Sequence, residues 1–288
     1  MDVRRWGVLA VAAVAGCAAD VRDVRDVAAP VTLRFRPAAG TTTRYAFAQH
    51  LTMRSDSGTP LPPQDVTMRI YLTQTVGDGR ADGIPVTSTV DSATLSNSAL
   101  PASMLATLVE RVRGLRTLTV LDARMRPVRY EVVNRPDLHP DRLAPFEQGA
   151  RGFAFPLPEG PVRVGDTWTV AVPLPTGHIP GTPEAVEVPT TLTVRAVRAA
   201  GPDTTVVLGV ESRLPDAPII VDLGIGKSSL RFTGTLVGEQ EFSLSRGTVV
   251  GGTMAGEIRL AMTGGIAGDR TLGVTLDQRL TLRTLEGN

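Results

Sequence analysis

Cys17 is the residue best placed to do chemistry in this sequence, because it is the only cysteine among 288 residues. An uncharged apolar run over residues 6–14 ends at Val14, and the small residues Ala15 and Gly16 then lead into Cys17. A lone cysteine cannot form an internal disulfide, and in an exported chain a free thiol needs an explanation. An ionised thiol is also a good nucleophile. The position of Cys17 therefore predicts covalent modification of its sulfur.

The residues before Cys17 have the layout of a secretory signal. Arg4 and Arg5 give a positively charged head, and nine uncharged residues follow from Trp6 to Val14. Such a head with about 7–15 apolar residues is typical of a signal peptide. A membrane-spanning helix needs about 20 apolar residues. We therefore expect residues 1–16 to be a signal peptide and the chain to be exported.

The four residues Val14, Ala15, Gly16 and Cys17 resemble the lipobox of bacterial lipoproteins, which runs aliphatic, small, small, cysteine. The resemblance implies that the Cys17 thiol receives a diacylglyceryl group and that a peptidase then cuts before Cys17. The new amine is often acylated as well, for example with palmitate. Two or three acyl chains anchor a protein stably, where one chain is marginal. The alternatives are an ordinary signal peptide with an incidental cysteine, or a buried cytosolic cysteine.

The same resemblance bears on where the protein is held. In diderm lipoproteins an aspartate directly after the lipidated cysteine often retains the protein at the inner membrane, and here that position is Ala18. We therefore expect a cell-envelope protein that is anchored to a membrane through Cys17 and faces the periplasm or the exterior. The outer membrane is favoured if the source has one.

Motifs for other chemistry are incomplete. Gly224–Ser228 ends like a phosphate-binding loop, but that motif needs glycine where this chain has Val221. The three histidines, His50, His139 and His178, stand far apart, and none has a partner at the spacing of a metal site. There is no Gly-Xaa-Ser-Xaa-Gly nucleophile elbow. We predict no metal, no cofactor and no catalytic residue, and we do not expect an enzyme.

Composition excludes further classes of function. Loss of Asp2, Arg4 and Arg5 with the signal takes the formal charge from +1 to near zero. Without a basic field, nucleic-acid binding is not expected. Aromatic residues make up 4% of the chain, which argues against a surface on which sugars or bases stack.

A short segment separates the anchor from the body of the protein. Residues 17–30 contain a repeated Asp-Val-Arg triplet, and a period of three fits neither a strand nor a helix face. We predict a solvated tether there, with a first strand or a short helix as the alternative. Residues 31–288 form the body, which is long enough for one large domain or two small ones.

The body alternates apolar and polar residues with a period of two, which is the pattern of half-buried β-strands. Thr43–Met53 is predicted to be a strand, and Val66–Val90 a hairpin that turns at Gly77–Gly83. A second hairpin is predicted over residues 118–133. Pro101–Gly114 instead has helical spacing and predicts a short amphipathic helix that ends at its glycine. A second short helix is predicted within Arg135–Gly149.

The two halves of the body, about 31–150 and 151–288, have similar patterns. The predicted hairpin at Glu187–Val210 resembles the one at Val66–Val90, and a strand precedes each. The halves are either a duplicated unit or alike by chance. Val164–Trp168, a Val-Gly-Asp-Xaa-Trp element, resembles one found midway along β-rich bacterial lipoproteins of unknown function. That resemblance implies no activity and supplies no site.

Together these patterns predict an all-β, mostly antiparallel fold with one or two short helices, arranged as a barrel, half-barrel or sandwich. Three functions stay open. The first is non-enzymatic binding of a hydrophobic small molecule in an apolar cavity, and the second is interaction with another envelope protein. The third is a hydrolase with paired carboxylates. Five methionines either line a cavity or fill the core: Met53, Met68, Met104, Met254 and Met262.

Overall fold

The alternating segments form thirteen β-strands that join one sheet. The computed structural model describes residues 24–56, 62–134, 155–175, 185–200, 202–222, 226–268 and 270–285. The strands of the first half are β1 (Val24–Asp26), β2 (Thr42–Ser55), β3 (Gln64–Val76), β4 (Ile84–Asn97), β5 (Arg116–Leu121) and β6 (Pro127–Val132). Those of the second half are β7 (Thr167–Pro175), β8 (Ala185–Ala200), β9 (Asp203–Arg213), β10 (Pro218–Asp222), β11 (Lys227–Ser243), β12 (Thr248–Gly264) and β13 (Thr271–Leu285).

All strand pairs of the sheet are antiparallel, and the sheet is open. Its order is β1-β8-β9-β11-β12-β13-β2-β3-β4-β5-β6, with β7 also on β8 and β10 also on β11. The pairing of β13 with β2, which sets Leu282 opposite Phe47, joins the two halves of the chain into one sheet. The predicted all-β, mostly antiparallel fold is therefore confirmed, in an open form. A duplication of the halves stays a prediction.

The strand faces follow the predicted alternation. Along the centre of the sheet, Leu51 of β2 lies opposite Val66 of β3, and Phe47 lies opposite Ile70. These side chains share the face on which the buried core lies, which we call the inner face. Their neighbours in sequence, such as His50 and Arg69, point to the outer face.

The predicted amphipathic helix is present as α1 (Ala102–Val112). The backbone leaves the helix through Gly114, whose φ of 70° favours glycine. Strand β5 pairs with the first half of β4, from Ile84 to Thr89. The second half of β4 pairs with β3 on one side. Helix α1 contacts β4 as well. Leu105 is the buried residue of α1. In the described ranges, no helix has the length and apolar character needed to cross a membrane.

One end of the inner face is covered by two irregular segments. Leu33 and Phe35 come from the segment before β2, and Phe155 and Leu157 from the segment before β7; we call these four side chains the plug. Each is at most 4% exposed. Backbone hydrogen bonds hold the plug in place. For example, the amide of Phe35 donates to the Ala123 carbonyl over 2.9 Å. The plug and the strand ends beneath it form the core.

The predicted tether and the predicted second helix meet the structure differently. Val24–Asp26, inside the predicted tether, forms β1 and pairs with Arg198–Ala200 of β8. This part of the segment therefore belongs to the sheet, which agrees with the alternative prediction of a first strand. The amide of Val27 also donates to the Val197 carbonyl over 2.9 Å. The helix predicted within Arg135–Gly149 lies outside the described residues.

Four glycines shape the pairing of β11 with β12 on the inner face. Gly234 and Gly238 of β11, and Gly252 and Gly256 of β12, each lie opposite a residue with a side chain. A Cβ on Gly238 would overlap the Thr253 carbonyl oxygen, and one on Gly252 would come within 2.9 Å of a carbonyl of β11. These strands therefore approach each other more closely than side chains at both partners would allow.

Candidate functional site

The predicted lipidation site cannot be placed in the fold. Val14, Ala15, Gly16 and Cys17 lie outside the described residues, so the anchor stays a prediction. His139 and His178 lie outside them too. His50 is exposed on the outer face, where its Nδ1 lies 3.2 Å from the Thr67 hydroxyl. No group of three or more potential metal ligands comes together among the residues that the structure describes.

The charged residues of the central strands lie on the outer face, and some of them form local ion pairs. Asp277 pairs with Arg54 across the β13–β2 boundary, and Glu257 accepts a hydrogen bond from Arg259 Nε over 2.8 Å. Such exposed pairs contribute about 0–1 kcal/mol each. Lys227 and the residue after it begin strand β11 and not a helix, so the glycine-rich stretch has no helix N-terminus to hold a phosphate.

The inner face, by contrast, carries no charge over the centre of the sheet. On β2, β3, β9, β11, β12 and β13, alternation and register send every described Asp, Glu, Lys and Arg outward. Since 20% of the chain is charged, composition alone does not explain a face without charge across six strands. A molecule bound on this part of the inner face would therefore contact no ionised side chain of these six strands.

Away from the plug, the inner face is mostly apolar, with Gln49 and Gln278 among its side chains, and it is only partly covered. Its side chains come from five neighbouring strands, are half-buried, and form what we call the apolar surface: Leu51, Met53, Val66, Met68, Phe232, Leu236, Leu260, Met262, Val274 and Leu276. Exposed apolar patches of this kind mark ligand grooves or interaction surfaces. The apolar surface is our candidate site.

The methionines that sequence analysis singled out divide between this face and the helix. Met53, Met68 and Met262 belong to the apolar surface, and Met254 lies on the same face nearer the plug. Met104 is 52% exposed on α1. None of the five is fully buried, and Met254 packs against the edge of the core. Flexible thioether side chains adapt well to irregular partners.

One polar side chain interrupts the inner face beside the plug. Gln240 of β11 is 6% exposed, and its Oε1 is buried without a hydrogen-bond partner among the described residues. It lies opposite Gly252 of β12 and Leu208 of β9. A cavity of about 30 Å³ adjoins it, bounded by Phe155, Gly252, Met254 and Leu280 among others. Sequence analysis missed Gln240, although an amide at an inward position is a readable signal.

A second concavity lies at the rim of the sheet. It has a volume of about 510 Å³ between α1 and the second half of β4. Leu95, Leu105 and Val109 supply its apolar wall, with Thr94 and Ser96 beside them. Leu95 pairs with Met68, so this groove adjoins the apolar surface.

Two residues with shifted pKa values have structural roles. Burial raises the pKa of Tyr45 above 10.0, against the lowering effects of Thr248 and Arg246; its hydroxyl donates to the Val249 carbonyl over 3.0 Å. Burial also acts to raise the pKa of Asp122, but hydrogen bonds from the Arg126 and Arg124 amides and the Arg126 side chain outweigh it, and the net shift is downward. Neither residue belongs to the apolar surface.

The Val-Gly-Asp-Thr-Trp element is structural as well. The Asp166 carboxylate accepts a hydrogen bond from the Arg163 amide over 2.8 Å, and Gly165 turns the chain with a φ of 95°. The Gly165 amide then donates to the Val194 carbonyl over 2.8 Å. Trp168 Nε1 donates to the Pro156 carbonyl over 3.0 Å. The element therefore fixes the segment that carries half of the plug.

Comparison with known proteins finds similarity among solved structures. No protein-family profile matches the chain, and no curated protein matches it. A solved structure of lipovitellin, from work on lipid–protein interactions in that protein, is similar, with a TM-score of 0.51 at 11% identity. The match covers 88% of this chain and 25% of the lipovitellin chain, so this chain spans about a quarter of that protein's length. At this identity the likeness shows the β-rich fold alone.

Proposed function

We propose that this protein is a lipid-anchored protein of the cell envelope that binds a hydrophobic small molecule on the inner face of its sheet. The observation that carries the proposal is the apolar surface. Its side chains are half-buried instead of buried, and the face on which they lie is free of charge in the described strands. Covering that surface with hydrocarbon would contribute a favourable binding free energy of about 25 cal/mol for each Å² of apolar area removed from water.

The fold comparison supports the same class of ligand. Lipovitellin is a protein in which lipid–protein interactions have been studied, and its chain contains a region of similar fold. An uncharged inner face suits acyl chains or other hydrocarbon, because burying an unpaired charge against them would be costly. The ligand proposed here is therefore lipid-like.

The anchor belongs to the same proposal. The Val14–Cys17 motif supports lipidation of Cys17 and attachment to an envelope membrane. A protein fixed at a membrane and carrying an apolar face is placed to take up, hold or pass on a lipid-like molecule. We assign it no catalytic step.

A binding assay with a matched pair of variants tests the ligand proposal. The mature chain, residues 17–288, is produced with Cys17→Ser so that its own acyl chains cannot occupy the site. Diphenylhexatriene, an uncharged hydrocarbon that fluoresces when it leaves water, serves as the probe. We expect saturable binding, and we expect Leu260→Glu to weaken it at least about tenfold, because about 1.5–3 kcal/mol of apolar contact is lost.

The control is Ala261→Glu, one residue further along the same strand. Leu260 lies inward between Phe232 and Val274, whereas Ala261 lies outward, opposite Arg231. Both residues are half-buried. The two variants therefore add the same charge at similar burial and differ in the face of the sheet that carries it. Equal binding by the two variants would contradict the proposal.

Interaction with another envelope protein is the second candidate. The observation that favours it is the rim of α1, where Leu100, Met104 and Leu108 are 39%, 52% and 38% exposed. Absence of probe binding, together with specific capture of one envelope protein that a Met104→Asp change abolishes, would favour this candidate instead.

A further inference from the structure

Gln240 differs from Gln49 and Gln278, which are half-buried glutamines on the same inner face, because it is buried. Its neighbours across the strands are Leu208 and Gly252, and Phe242 follows it on the same face of β11. Its side chain is nine-tenths buried, yet the Oε1 atom accepts no hydrogen bond from any described residue. Buried amides in folded proteins nearly always have a partner, so this one calls for a partner beyond the described residues, and a bound molecule can supply it.

The surroundings of Gln240 leave room for that partner. The adjoining cavity has a volume of about 30 Å³, which holds roughly two groups the size of a water molecule. A hydroxyl fits this space. The walls around the amide are otherwise apolar, formed by Phe155, Met254 and Leu280.

The cavity also lies in line with the apolar surface. In the next row of the inner face, Gly238 lies opposite Met254, and Met254 opposite Leu280. One row further, Leu236 already belongs to the apolar surface and lies opposite Gly256. A chain of carbon atoms that starts at the cavity can therefore run outward along the inner face, past two positions where glycine leaves space.

We propose that Gln240 binds the hydroxyl group of an uncharged amphiphile whose hydrocarbon tail lies on the apolar surface. This inference rests on the proposed function and narrows its ligand to neutral molecules with a small polar end, such as fatty alcohols. A hydroxyl both donates and accepts, so it satisfies the amide whichever of its two polar atoms faces the cavity. The molecule is bound with its polar end toward the plug and its tail toward the open end.

Competition with bound diphenylhexatriene tests the inference. Dodecanol is compared with tridecane, in which a methyl group replaces the hydroxyl, on the mature Cys17→Ser chain and on the same chain with Gln240→Met. Methionine keeps the length of glutamine and removes the amide. We expect the preference for dodecanol over tridecane to fall about tenfold in the variant, which corresponds to about 1.4 kcal/mol.

Two controls keep the test decisive. Gln74→Met makes the same change on β3, at a half-buried position opposite Thr43 and Ser88 that belongs to neither the cavity wall nor the apolar surface, and it should leave the preference unchanged. Gln240→Leu repeats the test if the methionine variant folds poorly, as judged by Trp168 fluorescence. An unchanged preference in the Gln240 variants would overturn the inference and leave the proposed function standing, with the cavity holding water. Binding of neither probe to the parent chain would overturn both.

Discussion

The close approach of β11 and β12 makes Gly238 one of the residues whose substitution the fold should tolerate least. A Cβ built there overlaps the Thr253 carbonyl oxygen and lies 2.7 Å from the Met254 Cα. Both are backbone atoms of the paired strand, so no side-chain rotation can relieve the overlap. We therefore predict that Gly238→Ala forces the two strands apart.

The size of the effect follows from the kind of contact. Overpacking a well-packed site costs about 1–3 kcal/mol, and a clash with backbone belongs at the upper end. We expect a loss of about 3 kcal/mol of unfolding free energy, which for a chain of this size lowers the melting temperature by roughly 6–12 °C. Gly251→Ala is the control, because its nearest atom is a Glu241 carboxylate oxygen at 3.4 Å, at the end of a flexible side chain.

Urea denaturation followed by tryptophan fluorescence measures the difference. Trp6 and Trp168 are the two tryptophans of the chain, so Trp168 alone reports in residues 17–288. Gly251→Ala should stay within about 0.5 kcal/mol of the parent, and the dependence of free energy on urea should be unchanged. If Gly238→Ala proves as stable as Gly251→Ala, the account of β11 and β12 is wrong.

Two further predictions concern the anchor and the core. With Cys17→Ser, the protein should lose metabolic labelling by a lipid precursor and no longer partition with membranes through an anchor; a variant that keeps the label would refute lipidation at Cys17. The pKa of Tyr45 is raised above 10.0 by burial, so its contribution to stability is full below pH 10.0 and is lost as pH rises through the folded pKa. Tyr45→Phe should flatten that alkaline loss in denaturation measured against pH, and it should cost about 1 kcal/mol at neutral pH because the Val249 carbonyl loses its donor. An identical alkaline profile in the parent and the variant would count against the buried phenol.

Much of the sheet could be predicted from the sequence, because period-two alternation is read directly from adjacent residues. The strand predicted at Thr43–Met53 is β2, and the hairpin predicted at Val66–Val90 is formed by β3 and β4. Helix α1 was predicted because helical spacing breaks the alternation and Gly114 ends it. These are local signals, and each depends on a few neighbouring residues.

Strand order and the candidate site depend on contacts that the sequence does not display. Nothing in the alternation says that β13 pairs with β2 or that β9 and β10 share one edge of β11. Gly252 and Gly256 were visible only as interruptions, since their meaning depends on the glycines of β11 opposite them. Gln240 could have been found, as a polar residue at an inward position, but its burial depends on Phe155 and the plug.

The half-exposure of the inner face could not be predicted either. Alternation places Leu260 and Met262 on the same face as Leu208 and Phe242 without showing that the first pair is half-buried and the second buried. The difference arises because the plug covers one end of the sheet, and the plug comes from irregular segments with no periodic signal. The candidate site is therefore a property of the assembled sheet.

Native mass spectrometry of the protein from its own host tests the central claim most directly. The Cys17→Ser chain and its Leu260→Glu variant are exported in that host and purified without detergent. We predict a reproducible lipid-sized mass on the parent chain, absent from the variant and present on Ala261→Glu. A parent chain that carries no added mass, or the same added mass on both glutamate variants, would contradict binding of a hydrophobic molecule on the inner face.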